Sequence, residues 1–231
     1  MIQLNNLAQF LNRFFTIDRF ENDQGGIYRA SERLVQRLGL ALEPWPDIAT
    51  WVEREQLDAL WLHRPWRLPP NALGYDIGVV AHHLAFDERL TLGYNERLAP
   101  SLELTKIAPL GEKAGRPLGM FGSIPPHSFV DYRQAVHEIF GGLEEARPST
   151  SNVVTQVAVV GAMTDALVRE AAERGVDVYI TGQWRKSAAA AVNATGIGVM
   201  VVGHRRSEEW GLRALAHVLS ERWSYLDLTL A

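Results

Sequence analysis

The stretch Val153-Val-Thr-Gln-Val-Ala-Val-Val160, followed by Thr164 to Arg174 and then Val176-Asp-Val-Tyr-Ile-Thr181, decides the fold class. The first run of β-branched residues predicts a buried strand. The mixed segment predicts a helix ending at Gly175, and the second run predicts another strand. Two strands joined through a helix lie parallel in one sheet. The same grammar continues with an alanine-rich helix around Ser187 to Ala194, a strand from Val199 to Val202 and a helix from about Glu208 to Trp223. Leu212, Leu215, Ala216, Leu219 and Trp223 recur there at helical spacing, which predicts one buried face. Tyr225-Leu-Asp-Leu-Thr-Leu230 alternates like an edge strand with one wet side. Repeated strand-helix-strand units place the chain in the α/β class, with mostly parallel sheets covered by helices.

The first half repeats the pattern with more interruptions. It predicts a helix over Leu4 to Phe15, a strand over Leu34 to Leu42, a helix over Asp47 to Glu55 and a strand over Leu57 to Leu62 that runs into His63. A further strand covers Asp76 to Ala81, and a helix begins near Asn95 within Leu90 to Leu104. Gly111-Glu-Lys-Ala-Gly-Arg-Pro-Leu-Gly-Met-Phe-Gly-Ser-Ile-Pro-Pro126 is rich in Gly and Pro and is expected to be a connector. Tyr132 to Phe140 reads as a helix and Gly141 to Ser151 as a loop. The expected boundary lies near Gly119, giving an N-terminal α/β domain over 1–118 and a C-terminal α/β domain over 119–231.

The chain has 231 residues, 47% of them hydrophobic, enough to bury a substantial core. Its 23 Lys and Arg stand against 27 Asp and Glu, and no basic run tracks a phosphate backbone, so no nucleic-acid partner is expected. No apolar window reaches a membrane span and the start lacks a basic secretory signal, so a cytoplasmic location is expected. There is no cysteine. Thiolate nucleophiles and thiolate metal sites are therefore excluded, and any metal must be held by imidazole and carboxylate, which points to Zn, Mn, Fe, Ni or Mg.

Three strand ends carry such groups: Leu57-Asp-Ala-Leu-Trp-Leu-His63, Val79-Val-Ala-His-His83 with Asp87 four residues on, and Val199-Met-Val-Val-Gly-His204 with Glu208 four residues on. The carboxyl edge of an α/β sheet is where ligands collect, so the three suggest one metal site assembled from distant parts of the chain. Each has a plainer alternative: His63 as a core-edge histidine, His83 and Asp87 as unrelated loop residues, Glu208 as a stabiliser of a helix start. His82 and His83 point to opposite faces if the strand continues through both, so only one can serve a given metal, and His83 is the better placed. Pro65 favours an extended Arg64 and interrupts the ladder, so a chain leaving the sheet there is expected to aim both His63 and Arg64 into a cleft. Gln183 follows a third strand end, and Trp66 and Trp184 are candidates to wall a pocket. His127, His137 and His217 are expected to be structural. P-loops, dinucleotide fingerprints and nucleophile elbows are absent.

Leu60-Trp-Leu-His63-Arg64-Pro, Val80-Ala-His-His83-Leu-Ala-Phe-Asp87, Gly93-Tyr-Asn95-Glu-Arg-Leu-Ala, Asp177-Val-Tyr-Ile-Thr-Gly182 and Gly203-His204-Arg-Arg-Ser-Glu208 together resemble the Nif-three-like family, also labelled GTP cyclohydrolase I type 2 homologues. The resemblance implies two α/β domains with a dinuclear metal site in the interdomain cleft and a toroidal homohexamer. Carried over, one metal takes His63, His204 and Glu208, and the other takes an imidazole following His63, Asp87 and the bridging Glu208. His83 matches a histidine lining the site. This chain departs from the pattern in having Arg64 where that second imidazole belongs, and Gln183 where an acid is usual. A guanidinium has no lone pair to donate, so one ion per chain is expected rather than two, with Arg64 supplying charge beside Asp87 or receiving an anionic ligand.

The resemblance implies a metal-dependent hydrolase acting on a small molecule, a nucleotide or another phosphorylated compound. In that reading Asp87 or His83 is expected to manage protons and Arg64 to hold the anionic end. Two other classes remain open: a non-catalytic metal-binding oligomeric scaffold or regulator, and a degenerate member that binds no metal.

Overall fold

The computed structural model describes residues 1–231. In chain order its elements are α1 (Leu4–Phe15), β1 (Gly25–Arg29), β2 (Arg37–Ala41), α2 (Ile48–Arg54), β3 (Ala59–Leu62), β4 (Gly78–His82), α3 (Leu84–Leu90), α4 (Leu98–Ser101), β5 (Thr105–Lys113) and β6 (Arg116–His127). There follow α5 (Phe129–Phe140), β7 (Glu145–Arg147), β8 (Val154–Val160), α6 (Asp165–Glu173), β9 (Val178–Thr181), α7 (Ala189–Thr195), β10 (Gly198–Val201), α8 (His204–Arg222) and β11 (Asp227–Leu230). The chain divides into two compact units, 1–86 with 212–231, and 87–211. The boundary expected near Gly119 instead falls inside β6, a strand in the middle of the second unit's hydrogen-bonding.

The first unit is built on a five-stranded sheet in the order β1-β4-β3-β2-β11. Every pair is parallel except β1 with β4, and the C-terminal β11 closes one edge beside β2, as its alternation predicts. On one face Ile48, Trp51 and Val52 of α2 pack with Leu60, Leu62 and Val79. Against β1 and β4 lies α1, whose buried Leu4, Leu7, Ala8, Leu11 and Phe15 follow the helical repeat read from the sequence. Strand β1 is not among the elements expected from the sequence. Gly26 adopts a positive φ of 98° while its neighbours pair with β4.

The second unit is built on a six-stranded sheet in the order β5-β6-β8-β9-β10-β7. Its middle, β8-β9-β10, is the parallel segment predicted from the opening stretch, while β5, β6 and β7 pair antiparallel around it. Thr164 caps α6 by accepting the Leu167 backbone N–H at 3.2 Å. The segment expected to be a connector is most of the β5–β6 hairpin. Ala114 and Gly115, with φ of 50° and 72°, make its two-residue turn. Pro109 is accommodated because β5 is an edge strand.

Within the hairpin, glycine serves close packing. A Cβ on Gly119 would stand 2.4 Å from the Val159 carbonyl oxygen, and one on Gly122 would stand 2.6 Å from the Thr105 carbonyl oxygen. Backbone cannot swing aside as a side chain can. Gly119→Ala is therefore expected to destabilise the protein by about 3 kcal/mol through overpacking, lowering the melting temperature by roughly 10 °C. A thermal melt within a degree of the parent protein would contradict this account of the hairpin.

Candidate metal centre

His63 leaves the end of β3, and its backbone N–H donates to Ala41 O at 3.2 Å. The side chain is fully buried. Its Nδ1 lies 3.0 Å from the carbonyl oxygen of His82, which only accepts. Nδ1 must therefore carry the ring proton, and Nε2 keeps its lone pair. His83 follows the same logic through a different partner. Its Nδ1 donates to Asp23 Oδ1 at 2.9 Å, and Asp23 Oδ2 accepts the Leu84 backbone N–H at 2.7 Å. The two rings stand 5.1 Å apart between centroids. Asp87, one turn into α3, completes a group in which one ligand atom from each of His63, His83 and Asp87 lies within 4.8 Å of the others.

The immediate surroundings are aromatic. Phe86 packs against His63 at 4.8 Å, and the half-exposed Trp66 meets His83 edge-on at the same centroid distance. Trp184 is engaged elsewhere, under the Arg147 guanidinium at 3.8 Å, and Gln183 is exposed. A cavity of about 890 Å³ in the first unit is lined by Arg33, Val52, Leu57, Asp58 and Ile77, at the amino ends of the strands. Its Arg33 is paired with Asp58 and Asp76, and none of His63, His83 and Asp87 lines it.

His82 is removed from the ligand set by its own contacts. Trp61 Nε1–H donates to its Nδ1 at 3.1 Å, so Nε2 carries the proton and donates to Asn12 Oδ1 at 2.9 Å. Strand β4 ends at His82, so His83 escapes by leaving the strand rather than by strand alternation. Burial lowers the His82 pKa from 6.5 to about 3. The unfolded chain then takes up a proton near pH 6.5 that the folded chain refuses until about pH 3. Stability is full above that window and falls through it, by about 1.4 kcal/mol per pH unit. Urea unfolding between pH 7 and pH 4.5 should show this slope, reduced by one proton in His82→Phe. An identical slope in both proteins would contradict it.

In the second unit, α8 begins at His204, four residues earlier than the sequence suggests. The imidazole is therefore on the first turn of the helix rather than at the end of β10. Its Nε2 lies 3.0 Å from Oε1 of Glu208, an exposed ring paired with a buried carboxylate. Arg64 Nη1 stands 3.7 Å from Glu43 Oε2. Asp23 was missed because it comes from a turn 60 residues from His83, and no local pattern links the two. Its only sequence signal is its place in Asn22-Asp23-Gln24, a turn in which Asn22 has a φ of 61°.

Compared with known proteins, the chain matches the family described as Duf34/NIF3 (NGG1p interacting factor 3) over residues 2–230. A GTP cyclohydrolase 1 type 2 homolog of Deinococcus radiodurans is 26% identical over 162 residues, covering 68% of this chain and 62% of that one. The Yersinia pestis protein of the same name is 25% identical over 240 residues, covering 96% and 95%. The match thus spans about three fifths of the Deinococcus relative's length and nearly all of the Yersinia one. The solved structure of protein ybgI superposes with a TM-score of 0.80 at 22% identity, covering 100% of this chain and 98% of that one. That last likeness concerns the fold.

Proposed function

Because this chain belongs to the Duf34/NIF3 family, we propose that it binds a divalent metal at His63, His83 and Asp87 and hydrolyses a small anionic substrate, a nucleotide or another phosphorylated compound. The observation that carries this reading is the pair of imidazoles whose Nδ1 protons are both committed, to His82 O and to Asp23, with the Asp87 carboxylate clustered beside them. Ligating histidines are held in this way, with the outer nitrogen donating to a carbonyl or carboxylate. Two imidazoles and one carboxylate fit Zn, Mn, Fe or Ni better than Mg, which prefers oxygen. The family resemblance of the motif Gly203-His204-Arg-Arg-Ser-Glu208 adds His204 and Glu208 to the proposed ligands.

When bound, such an ion supplies Lewis-acid chemistry, polarising a substrate oxygen or lowering the pKa of water. The chain's own groups do the rest. Arg64, beside Glu43, receives the substrate's anionic end, since a guanidinium remains charged at any working pH. Trp66 walls the His83 side, and Asp87 and His83 hold donor atoms in place at the metal rather than exchanging protons. The substrate end of this reading follows the relatives' name only as far as a small hydrolysable molecule, and no purine is specified. Assembly into a homohexamer belongs to the same proposal, and light scattering should then give roughly six times the 25.8 kDa chain mass.

The test is elemental analysis of native protein, followed by a screen of phosphorylated small molecules with the ion found. Hydrolysis that stops on chelation, returns with the ion and drops about 100-fold in Asp87→Asn is expected. Bound metal with loss of thermal stability on chelation and no turnover would favour the non-catalytic scaffold instead. No metal in any preparation would sink both readings. No helix is long and apolar enough to cross a membrane.

A further inference from the structure

His63 and His83 both display Nε2, but their protons are fixed by different means. The His63 acceptor is a backbone carbonyl, which no substitution of a side chain removes. The His83 acceptor is the carboxylate of Asp23. We propose that Asp23 is a positioning residue that holds His83 in the Nδ1–H tautomer and so presents its Nε2 to the cluster, an inference that rests on reading His63, His83 and Asp87 as ligands.

The geometry around Asp23 is specific to a carboxylate. Both oxygens accept, Oδ1 from the ring and Oδ2 from the Leu84 N–H at the start of α3. The adjoining Gln24 carbonyl accepts the His83 backbone N–H at 3.1 Å, so the turn holds ring, backbone and helix start together. The Asp23 side chain is 10% exposed and that of His83 is 23% exposed, so water competes weakly for the bond. Free imidazole favours a proton on Nε2, the atom a metal needs. Without the carboxylate the ring returns to that form or turns, and either change removes the donor. An asparagine whose Oδ1 accepts the Leu84 N–H turns its NH2 to the ring and donates to Nδ1, which places the ring proton on Nε2. Asp23→Asn should therefore weaken the site while nearly preserving shape.

The experiment is ¹⁵N NMR of the histidine rings in metal-free Asp23→Asn, Asp23→Ala and parent protein, alongside Zn²⁺ titration of each. In the parent, His83 should be the Nδ1–H tautomer. In both variants it should shift toward Nε2–H while His63 and His82 keep their tautomers, and the Zn²⁺ dissociation constant should rise about 10- to 100-fold. If Asp23→Ala fails to fold, Asp23→Asn alone carries the test. An unchanged His83 tautomer in the variants would overturn the assignment even if Zn²⁺ binds to the parent. A tautomer that moves in a protein taking up no Zn²⁺ would leave the positioning role standing and remove the metal reading.

Discussion

His63→Ala is expected to lose the metal, with content in native preparations falling from about one ion per chain to a small fraction of that and affinity dropping by at least about 1000-fold. The expectation exceeds the 10- to 100-fold associated with outer-shell partners because a donor atom itself is removed. Among the three clustered residues His63 is the fully buried one, locked through its Nδ1 to His82 O. A donor that cannot rotate away has already lost its rotamer freedom in the folded state, so little further ordering is needed when an ion binds. The substitution also leaves the His82 carbonyl without that donor and opens a cavity beside Phe86, together worth about 2 to 4 kcal/mol of stability. Circular dichroism must accompany the metal analysis, so that unfolding is not mistaken for ligand loss. A folded His63→Ala with undiminished metal would place the ion elsewhere.

How far the sequence revealed this arrangement depended on whether the relevant contacts are local. Helix α1 is legible to its last residue because Leu4, Leu7, Leu11 and Phe15 encode one face. The β8-α6-β9 unit is legible because its strands are uniformly apolar and its helix carries a Thr164 cap. The β5–β6 hairpin misleads, since the glycines that admit the Val159 and Thr105 backbones look like loop punctuation when the neighbouring strands are not in view. At the site, His63, His83 and Asp87 were all marked by their places after β3 and β4. What the sequence hid was role: His83 stands among the proposed ligands because Asp23 fixes its proton, and His82 is excluded because Trp61 and Asn12 occupy both nitrogens. Those contacts join residues 21, 70 and 60 positions apart, respectively, beyond the reach of any periodicity.

Arg64→His is the substitution expected to add rather than remove, raising metal content from about one ion per chain to about two. Arg64 directly follows the buried His63, and its backbone N–H is tied to Leu42 O at 2.8 Å, so the position is held by the fold whatever side chain it bears. The guanidinium there contributes a permanent positive charge and no lone pair, which opposes a second dication both by repulsion and by lack of a donor. Imidazole reverses both, being neutral near pH 7 and able to ligate through either nitrogen. Arg64→Ala separates the two effects. It removes the charge without adding a donor, so it should stay near one ion per chain. In the hydrolase reading it should also raise KM for an anionic substrate about 10- to 100-fold while sparing kcat, as expected for an interaction made equally in the ground and transition states. Two ions in Arg64→Ala would mean that charge alone excluded the second metal. One ion in a folded Arg64→His would mean that the missing imidazole is not what limits the site.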